Sequence, residues 1–449
     1  MTAQPRSPQG HFLLGNLSDF TRDTLAFLLD VRQYGDLVKW KFGPFPAYAV
    51  NSPALMHQML VADAEHYDKD RTSRVILNPV LGEGVFTSNG DFWKKQRKLV
   101  APSFHTKRIG AYGEVMVDYA NRLVAKWEDG DTLIIDHEMT ALTMEVISKT
   151  LFDAQVGAET EEISEQITIL LEVLNHRFNS LFPTPLWVPT PENRAFKRAI
   201  AKLDEIVARF VAQWRAAGVD KGDLLSMLLQ ARDDDGNPMS DKQVRDEAVT
   251  LFGAGHETTS NALTWVWYLL SQNPDAEARL HDELARVLGG RNPRMEDLPN
   301  LPYTEMVVKE AMRLYPPAFA VVREANTDVE LGGYTLPKGS IIMGNIYGIQ
   351  RDERYFPNPD RFDPDRFSAD NEKLIPKYAY LPFGGGPRVC LGNAFAMMEA
   401  RLVLATIAQK YSFALAPGHP VIPQRVFTLR AKHGVKMVAH QREAIPVLA

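Results

Sequence analysis

The stretch Phe383-Gly-Gly-Gly-Pro-Arg-Val-Cys-Leu-Gly392 contains Cys390, the single cysteine of this 449-residue chain. A lone cysteine cannot form an intramolecular disulfide, so its thiol is inert, redox-active or a metal ligand. Inert packing is the simplest interpretation, because free cysteine is among the most buried residue types. The three glycines and Arg388 beside it are poor material for a packed core, and they favour a metal-bound thiolate instead.

The chain after Cys390 predicts a helix from Asn393 to Lys410, because apolar side chains recur there at helical spacing. Cys390 then lies at or just before the helix N-terminus, where unpaired N–H groups and the helix dipole stabilise negative charge. Glycines 384–386 allow a close approach of the backbone. Since the thiolate is the form of cysteine that binds metals, this environment favours a ligand role.

The loop residues Phe383, Gly386, Arg388, Cys390 and Gly392 match the haem-binding signature of the cytochrome P-450 family at every defined position, and the loop resembles it closely. The resemblance implies haem b (iron protoporphyrin IX) as the cofactor. It also implies Cys390 as the proximal iron ligand and Arg388 as a partner of a haem propionate. In this family a thiolate donates electron density to the iron and favours O–O cleavage.

The longest predicted helix runs from Ser240 to Gln272, and Ser240 with Gln243 forms a capping box at its start. Its middle reads Gly-Ala-Gly-His-Glu-Thr-Thr over residues 253–259. Glycine costs up to about 1 kcal/mol inside a helix, so these two glycines serve either helix packing or a function. The two interpretations are equally good from the pattern alone.

The segment Ala254 to Thr258 also resembles the oxygen-binding groove of the cytochrome P-450 family. By this resemblance, Ala254 leaves room for O₂ beside the haem. Glu257 and Thr258 would relay protons to the bound oxygen. His256 occupies a variable position, and we assign it no ligand role.

Glu310 and Arg313 lie three residues apart, which places their charges on one helix face. Such a pair is most often a solvated surface pair. In the family it instead binds an arginine from a later Pro-x-Arg-Phe segment and holds the scaffold together. Two such segments occur here, with Arg361 and Arg366. We choose Arg366 because Phe362-x-Pro364 precedes it, and the choice stays open.

Trp93 and Arg97 lie one helical turn apart, and the plain interpretation is a core aromatic beside an exposed cation. The resemblance makes them, together with Arg323, further partners of the haem propionates. Two carboxylates that are buried with the haem need cations or hydrogen bonds of this kind.

Composition and periodicity predict a mainly α fold with small β-sheets (α+β). The resemblance implies the cytochrome P-450 fold, in which the haem lies between the long helix and the cysteine loop. Residues 37–50 predict a hairpin, and 328–344 and 420–440 predict further strands. We expect one haem domain over 1–449, with a β-rich N-terminal lobe at about 1–70 and no fused reductase. The net charge of −6 argues against nucleic-acid binding. The N-terminus lacks an apolar run near the ~18 residues of a membrane helix, so we expect a cytoplasmic monomer without a membrane anchor.

The substrate contacts of the family come from scattered segments, which are apolar in this chain and suit a fatty acid, a terpenoid, another hydrocarbon or a macrolide-like molecule. Core packing explains each segment equally well. The candidate pocket residues are Val80, Leu81, Phe86, Phe178, Phe182, Phe319, Val321 and Phe427.

The resemblance implies a haem-thiolate monooxygenase that hydroxylates or epoxidises a mostly apolar substrate with O₂. Its electrons would come from a ferredoxin or flavodoxin-type donor with its reductase. Lys94, Lys95 and Lys98 either steer this donor or form a plain solvated face. The alternatives are a peroxide-driven peroxygenase and a non-catalytic haem-binding or sensing protein, and the Glu257–Thr258 pair counts against both.

Overall fold

The computed structural model describes residues 5–43, 45–105, 109–153, 158–180, 183–217 and 222–443. The fold is mainly helical with several small sheets, as the sequence predicts. The helices are α1 (Leu17–Arg22), α2 (Thr24–Asp30), α3 (Pro53–His57), α4 (Arg71–Leu81), α5 (Gly90–Val100), α6 (Gly113–Val124), α7 (Ile135–Phe152), α8 (Ala158–Asn179), α9 (Pro191–Ala217), α10 (Leu224–Gln230), α11 (Asp241–Gln272), α12 (Pro274–Leu288), α13 (Pro302–Leu314), α14 (Ile346–Ile349) and α15 (Asn393–Ala408).

The strands form a five-stranded sheet and three smaller ones. They are β1 (Leu37–Phe42), β2 (Phe45–Val50), β3 (Tyr67–Asp68), β4 (Thr132–Ile134), β5 (Val321–Ala325), β6 (Val329–Leu331), β7 (Tyr334–Leu336), β8 (Ile341–Gly344), β9 (Tyr411–Leu415), β10 (Pro423–Arg425), β11 (Leu429–Ala431) and β12 (Lys436–Gln441). The largest sheet has the order β1-β2-β8-β5-β3 and contains the predicted hairpin. Its β2–β8 pair is parallel and aligns Ala47 with Ile341. The N-terminal hairpin is therefore completed by strands from the distant 321–344 region.

The long helix α11 ends at the predicted Gln272 and begins at Asp241, one residue after the predicted Ser240, which caps it. The Ser240 hydroxyl accepts from the Gln243 N–H at 3.3 Å, and the Gln243 carbonyl oxygen Oε1 accepts from the Ser240 N–H at 2.8 Å. The capping box is thus confirmed. With 32 residues, α11 is about 48 Å long. It packs against α7, α13 and α15, so it forms the axis of the main core.

The helix after the cysteine, α15, ends at Ala408, two residues before the predicted Lys410. The Lys410 N–H donates to the Ile407 carbonyl at 2.9 Å, which tightens the last turn and ends the α-helical pattern before β9 begins at Tyr411. In the described part of the chain, every helix is too short or too polar to traverse a lipid bilayer.

Candidate functional site

The cysteine loop, Phe383–Gly392, is closed by a hydrogen bond from the Cys390 N–H to the Phe383 carbonyl at 3.0 Å. Its conformation depends on Gly386, which has a φ of +67°. A Cβ added at Gly386 would lie 1.7 Å from the Leu60 carbonyl oxygen. Only glycine allows this approach, so the glycine run positions the loop against the turn at Leu60 and directs the chain into α15.

The Cys390 side chain is exposed, yet the protein around it is dense enough that burial raises the pKa of its thiol. The Gly392 N–H and the charge of Arg97 act in the opposite direction and lower this pKa. The Arg97 guanidinium also donates to the Val389 carbonyl at 3.0 Å, which ties α5 to the loop. An exposed thiol that faces an N–H group and a cation fits a ligand better than an inert core residue.

One small residue in the middle of α11 is exposed. Ala254 is exposed and its neighbours Gly253 and Gly255 are half-buried, whereas Phe252 and His256, two residues away on each side, are each 1% exposed. The Thr258 hydroxyl donates to the Ala254 carbonyl at 2.8 Å, so it competes for a helical carbonyl. Ala254 and Thr258 therefore share the face of the helix that was predicted to accommodate oxygen.

The two glycines of this segment have different surroundings. A Cβ at Gly255 would lie 3.1 Å from the Ile147 side chain on α7, so Gly255 serves helix packing. A Cβ at Gly253 would meet nothing within 4 Å, and packing does not explain that residue. His256 is buried, its Nδ1 lies 3.0 Å from the Phe252 carbonyl oxygen, and burial lowers its pKa. It faces the core and not a ligand.

Glu257 is held by a residue that the sequence analysis did not single out. The Thr428 hydroxyl donates to Glu257 Oε1 at 2.7 Å, and Asn261 Nδ2 donates to the Thr428 oxygen at 2.9 Å. Burial raises the pKa of Glu257, while the Thr428 hydrogen bond and the charge of Arg430 lower it. No local motif indicates the Thr428 contact, because 171 residues separate the two partners.

The predicted propionate partners form a cluster of cations. The Arg388 guanidinium carbon lies 4.1 Å from the Trp93 ring centroid, and that of Arg97 lies 6.0 Å from it. Burial, together with the charges of Arg323 and Arg97, lowers the pKa of Arg388 to about 10. Lys69, which the sequence analysis missed, is near Arg323 and Arg388, and burial plus their charges lowers its pKa to about 7.

Nearby carboxylates compensate these cations only in part: the charge of Asp70 raises the pKa of Lys69 and of Arg323, and that of Asp68 raises the pKa of Arg388, but burial lowers all three by more. Lys69, Arg97, Arg323 and Arg388 form no ion pair with any residue that the structure describes. Arg323 is 5% exposed, and its guanidinium donates to the Val322 carbonyl at 2.9 Å. Burying several unpaired cations together is costly unless anions join them. The residues present therefore fit a group with two carboxylates, as haem has.

The Glu310–Arg313 pair is a buried pair, and both side chains are 0% exposed. Two hydrogen bonds of 2.7 and 2.8 Å join them. The Arg366 guanidinium approaches Glu310 Oε1 at 3.3 Å, while the Arg361 backbone carbonyl accepts from Arg313 at 3.1 Å. Both candidate arginines therefore contact this cluster, Arg366 through its guanidinium and Arg361 through its backbone.

The structure brings part of the candidate pocket together. The Phe427 ring lies 6.3 Å from the Phe86 ring and 5.9 Å from the Phe178 ring. Val80 and Leu81 pack into the same core. Phe319 packs against Leu25, Leu28 and Tyr347 instead, Val321 packs against the core beside the five-stranded sheet, and Phe182 lies outside the described residues.

The three lysines on α5 carry their own counter-charges. Lys94 pairs with Asp91 at 2.9 Å, and Lys95 and Lys98 pair with the loop acids Asp233 and Asp234 at 2.7 and 2.5 Å. This arrangement supports the solvated-face interpretation, because an acidic partner would have to compete with these acids.

Comparison with known proteins gives matches over nearly the whole chain. The sequence model of the family "Cytochrome P450" matches residues 5–436. Cyclooctatin synthase of Streptomyces melanosporofaciens is 40% identical over 95% of this chain and 93% of its own length. Cyclooctat-9-en-7-ol 5-monooxygenase of the same organism is 36% identical, over 90% and 88% respectively. Pentalenene oxygenase of Streptomyces avermitilis is 32% identical over 93% of each chain. The chain therefore belongs to the cytochrome P450 family of haem-dependent monooxygenases.

Proposed function

We propose that this monooxygenase hydroxylates, or epoxidises, a mostly hydrocarbon substrate of the terpenoid class. The observation that carries the proposal is the convergence of Phe86, Phe178 and Phe427 on one another. Phe427 of this cluster directly precedes Thr428, and the Thr428 hydroxyl contacts Glu257 beside the face of α11 that was predicted to accommodate oxygen. An apolar group of side chains beside that face suits an apolar substrate.

The names of two relatives support the terpenoid class. Pentalenene is an alkene and cyclooctat-9-en-7-ol is an alkenol, so both names denote mostly hydrocarbon molecules. A fatty acid remains the second candidate class. Lys69, whose ammonium lies 4.1 Å from the Phe86 ring centroid, belongs to the cation cluster that we assign to the haem propionates. That arrangement favours a substrate without a carboxylate.

In this proposal Cys390 holds the iron of haem b, and Trp93, Arg97, Arg323, Arg388 and Lys69 hold its propionates. When bound, the haem supplies the redox chemistry that activates O₂. Glu257 and Thr258 hold and move protons on the oxygen face. Burial keeps Glu257 able to carry a proton, because it raises the pKa of that carboxyl.

We also infer that residues 1–449 form one haem domain, which receives electrons from a separate ferredoxin or flavodoxin that its own reductase reduces. The extent of the family match supports this inference. A direct check is electron transfer from a purified ferredoxin and ferredoxin reductase. Failure of every such donor, together with activity on peroxide alone, would favour the peroxygenase alternative.

The decisive experiment mixes the purified haem protein with ferredoxin, its reductase and NADPH under ¹⁸O₂. The compounds supplied are pentalenene, cyclooctat-9-en-7-ol and dodecanoic acid. We expect a product of a terpenoid that contains one ¹⁸O atom. Product from dodecanoic acid alone would replace the terpenoid proposal with the fatty-acid one. Absence of any product with either NADPH or peroxide would favour a binding or sensing role.

A control tests the central assignment independently of substrate. Cys390→Ser should abolish the red-shifted carbon monoxide band of the reduced protein, because a thiolate ligand is required for it. Persistence of that band would mean that Cys390 is not the iron ligand.

A further inference from the structure

The β10–β11 hairpin has a three-residue tip, residues 426–428, and Leu429 directly follows this tip and pairs with Arg425 to close it. The Leu429 N–H donates to the Pro317 carbonyl at 3.0 Å, and the Trp265 indole N–H donates to the Leu429 carbonyl at 3.1 Å. Leu429 and Trp265 are completely buried. The β11 end of the tip is thus attached to α11 and to the segment before β5.

One side of the tip faces α11 through Thr428. Its hydroxyl has a single proton, and Asn261 Nδ2 is a nitrogen that can only donate. The Thr428 oxygen therefore accepts from Asn261 at 2.9 Å, and its proton is directed to Glu257 Oε1 at 2.7 Å. This fixed direction holds one carboxyl oxygen of Glu257 on the hairpin side.

The other side of the tip faces the aromatic cluster through Phe427. This ring is partly exposed and contacts the rings of Phe86 and Phe178. Phe86 lies in the loop between α4 and α5, and Phe178 lies at the end of α8. A molecule placed among these three rings would press on Phe427, which is covalently adjacent to Thr428.

We propose that Thr428 is a positioning residue for Glu257, and that the Phe427–Thr428 pair transmits the filling of the substrate pocket to that carboxyl. The proposal rests on the proposed function, in which Glu257 relays protons. It gives the hairpin tip a role in timing: proton delivery becomes favourable when substrate is present.

The geometry sets the size of the required movement. The Thr428–Glu257 bond is 2.7 Å long. A displacement of the tip by about 0.3 Å is enough to change how firmly Glu257 is held, because hydrogen bonds weaken steeply as they lengthen toward roughly 3.2 Å. Since Leu429 is anchored directly after Thr428, a push on Phe427 is taken up within residues 426–428 and not by movement of the whole hairpin.

The test uses the haem-loaded protein and the infrared C=O stretch of the Glu257 carboxylic acid, which is identified by its absence in Glu257→Gln. Thr428→Val removes the hydroxyl and keeps the shape, whereas Thr428→Ser keeps the hydroxyl. We expect the band to move to higher frequency in Thr428→Val and to stay in place in Thr428→Ser. An unmoved band in Thr428→Val overturns the positioning role. If Thr428→Val does not fold, Asn261→Ala should give a smaller shift in the same direction, and no shift overturns the proposal.

The link to the pocket has its own variant. Phe427→Ala leaves the Thr428 hydroxyl in place but removes the ring contacts, and we expect the band to shift or broaden. A band identical to that of the unaltered protein overturns the link. With pentalenene, ferredoxin, its reductase and NADPH, Thr428→Val should lose product per NADPH, and Thr428→Ser should restore it.

Failure of the proposed function gives a different result. If Glu257→Gln keeps full product per NADPH, the proton relay is wrong, and the infrared shift in Thr428→Val still decides the positioning role. If Glu257→Gln loses coupling while Thr428→Val keeps it, the relay stands and the role of Thr428 is refuted.

Discussion

Glu247 is a carboxylic acid on α11 that lies beneath the loop at Gly84 and Val85. Its side chain is 0% exposed, and neither carboxyl oxygen completes a hydrogen bond with a described residue. A Cβ at Gly84 would lie 3.3 Å from Glu247 Oε2. Burial raises the pKa of Glu247 to about 7, the Val85 N–H lowers it, and the charge of Asp246 raises it.

This raised pKa predicts that the free energy of unfolding depends on pH. The folded-state value of about 7 lies above the ordinary value of 4.5, so the folded protein binds this proton more strongly. Because of Glu247, the free energy of unfolding therefore falls by about 3 kcal/mol as pH rises from about 4.5 to 7, and it stays low above that. Glu247→Gln cannot ionise, so it should be more stable than the unaltered protein at pH 8 and not at pH 4.5.

Denaturant midpoints of the haem-loaded protein at pH 4.5 and pH 8 measure this difference. Glu83→Gln is the matched control, because Glu83 lies on the same loop but is largely exposed. Equal stabilisation of Glu247→Gln at both pH values would contradict the assigned cause.

At this scale the sequence predicts residues that belong to local motifs. Cys390, Arg388, Glu257 and Thr258 could be selected because fixed spacing marks them. Lys69, Thr428 and Glu247 could not, because their partners come from other parts of the fold. Thr428 meets Glu257 across 171 residues, and nothing in its neighbours indicates that contact.

Among the elements, the cysteine loop places the sharpest steric demand on one residue. Gly386 has a φ of +67°, and its added Cβ would lie 1.7 Å from the Leu60 carbonyl oxygen. We expect Gly386→Ala to displace the loop and to lose most of the red-shifted carbon monoxide band. The amount of that band per purified protein is the measurement.

Gly384→Ala is the matched control for Gly386→Ala. Gly384 has a similar φ of +70°, but its added Cβ meets nothing within 4 Å. It should show only the backbone strain of about 1–2 kcal/mol for this conformation and keep the band. Equal losses in both variants would mean that backbone conformation, and not the approach to Leu60, is limiting.

The start of α11 allows a smaller prediction. Ser240→Ala removes the cap that accepts from the Gln243 N–H, so it should lower the free energy of unfolding by about 1 kcal/mol. Ser271→Ala near the other end is the control, because the Ser271 hydroxyl caps no free N–H: it donates to the Tyr268 carbonyl at 2.7 Å and accepts from Gln272 Nε2 at 3.1 Å. Thermal unfolding compares the two variants, and an equal loss of stability in both would mean that the Ser240 cap does not contribute.

Elements with strong end signals could be predicted closely. Ser240 and Gln243 mark one end of α11, and Asn273 with Pro274 marks the other, so the prediction differs by a single residue. The π-helical turn Gln58–Ala62 has no such signal. It contacts the cysteine loop at Gly386, and local sequence does not indicate a contact over such a separation.

In the whole molecule, Arg313 joins distant segments. Its guanidinium pairs with Glu310 and donates to the carbonyls of Gln350, Pro359 and Arg361 at 2.8 to 3.1 Å. Glu310→Gln leaves this buried cation uncompensated, so we expect a loss of about 3–5 kcal/mol in stability. Denaturant unfolding of the haem-loaded protein is the measurement.

The control for Glu310→Gln is a nearby surface pair. Arg279 and Asp365 are about half exposed and lie beside Arg366. Arg279→Ala should cost no more than about 1 kcal/mol, because solvent screens such pairs. If the two variants lost equal stability, burial would not be what makes the Glu310–Arg313 pair important.

Whole-molecule topology was accessible from the sequence through the family resemblance and not through periodicity. The parallel register of Ala47 with Ile341 joins segments nearly 300 residues apart. Local patterns indicate each strand, but they do not indicate a pairing partner at that separation along the chain.

The position of α11 has a consequence for hydrogen exchange. Its second half, Thr259–Leu270, is buried almost without interruption, and Trp265 and Trp267 are among the largest completely buried side chains. These amides cannot meet solvent unless the surrounding helices separate, so their opening free energy approaches that of global unfolding. Deuterium uptake by this one segment would then report the stability of the entire protein, measured under native conditions and without denaturant.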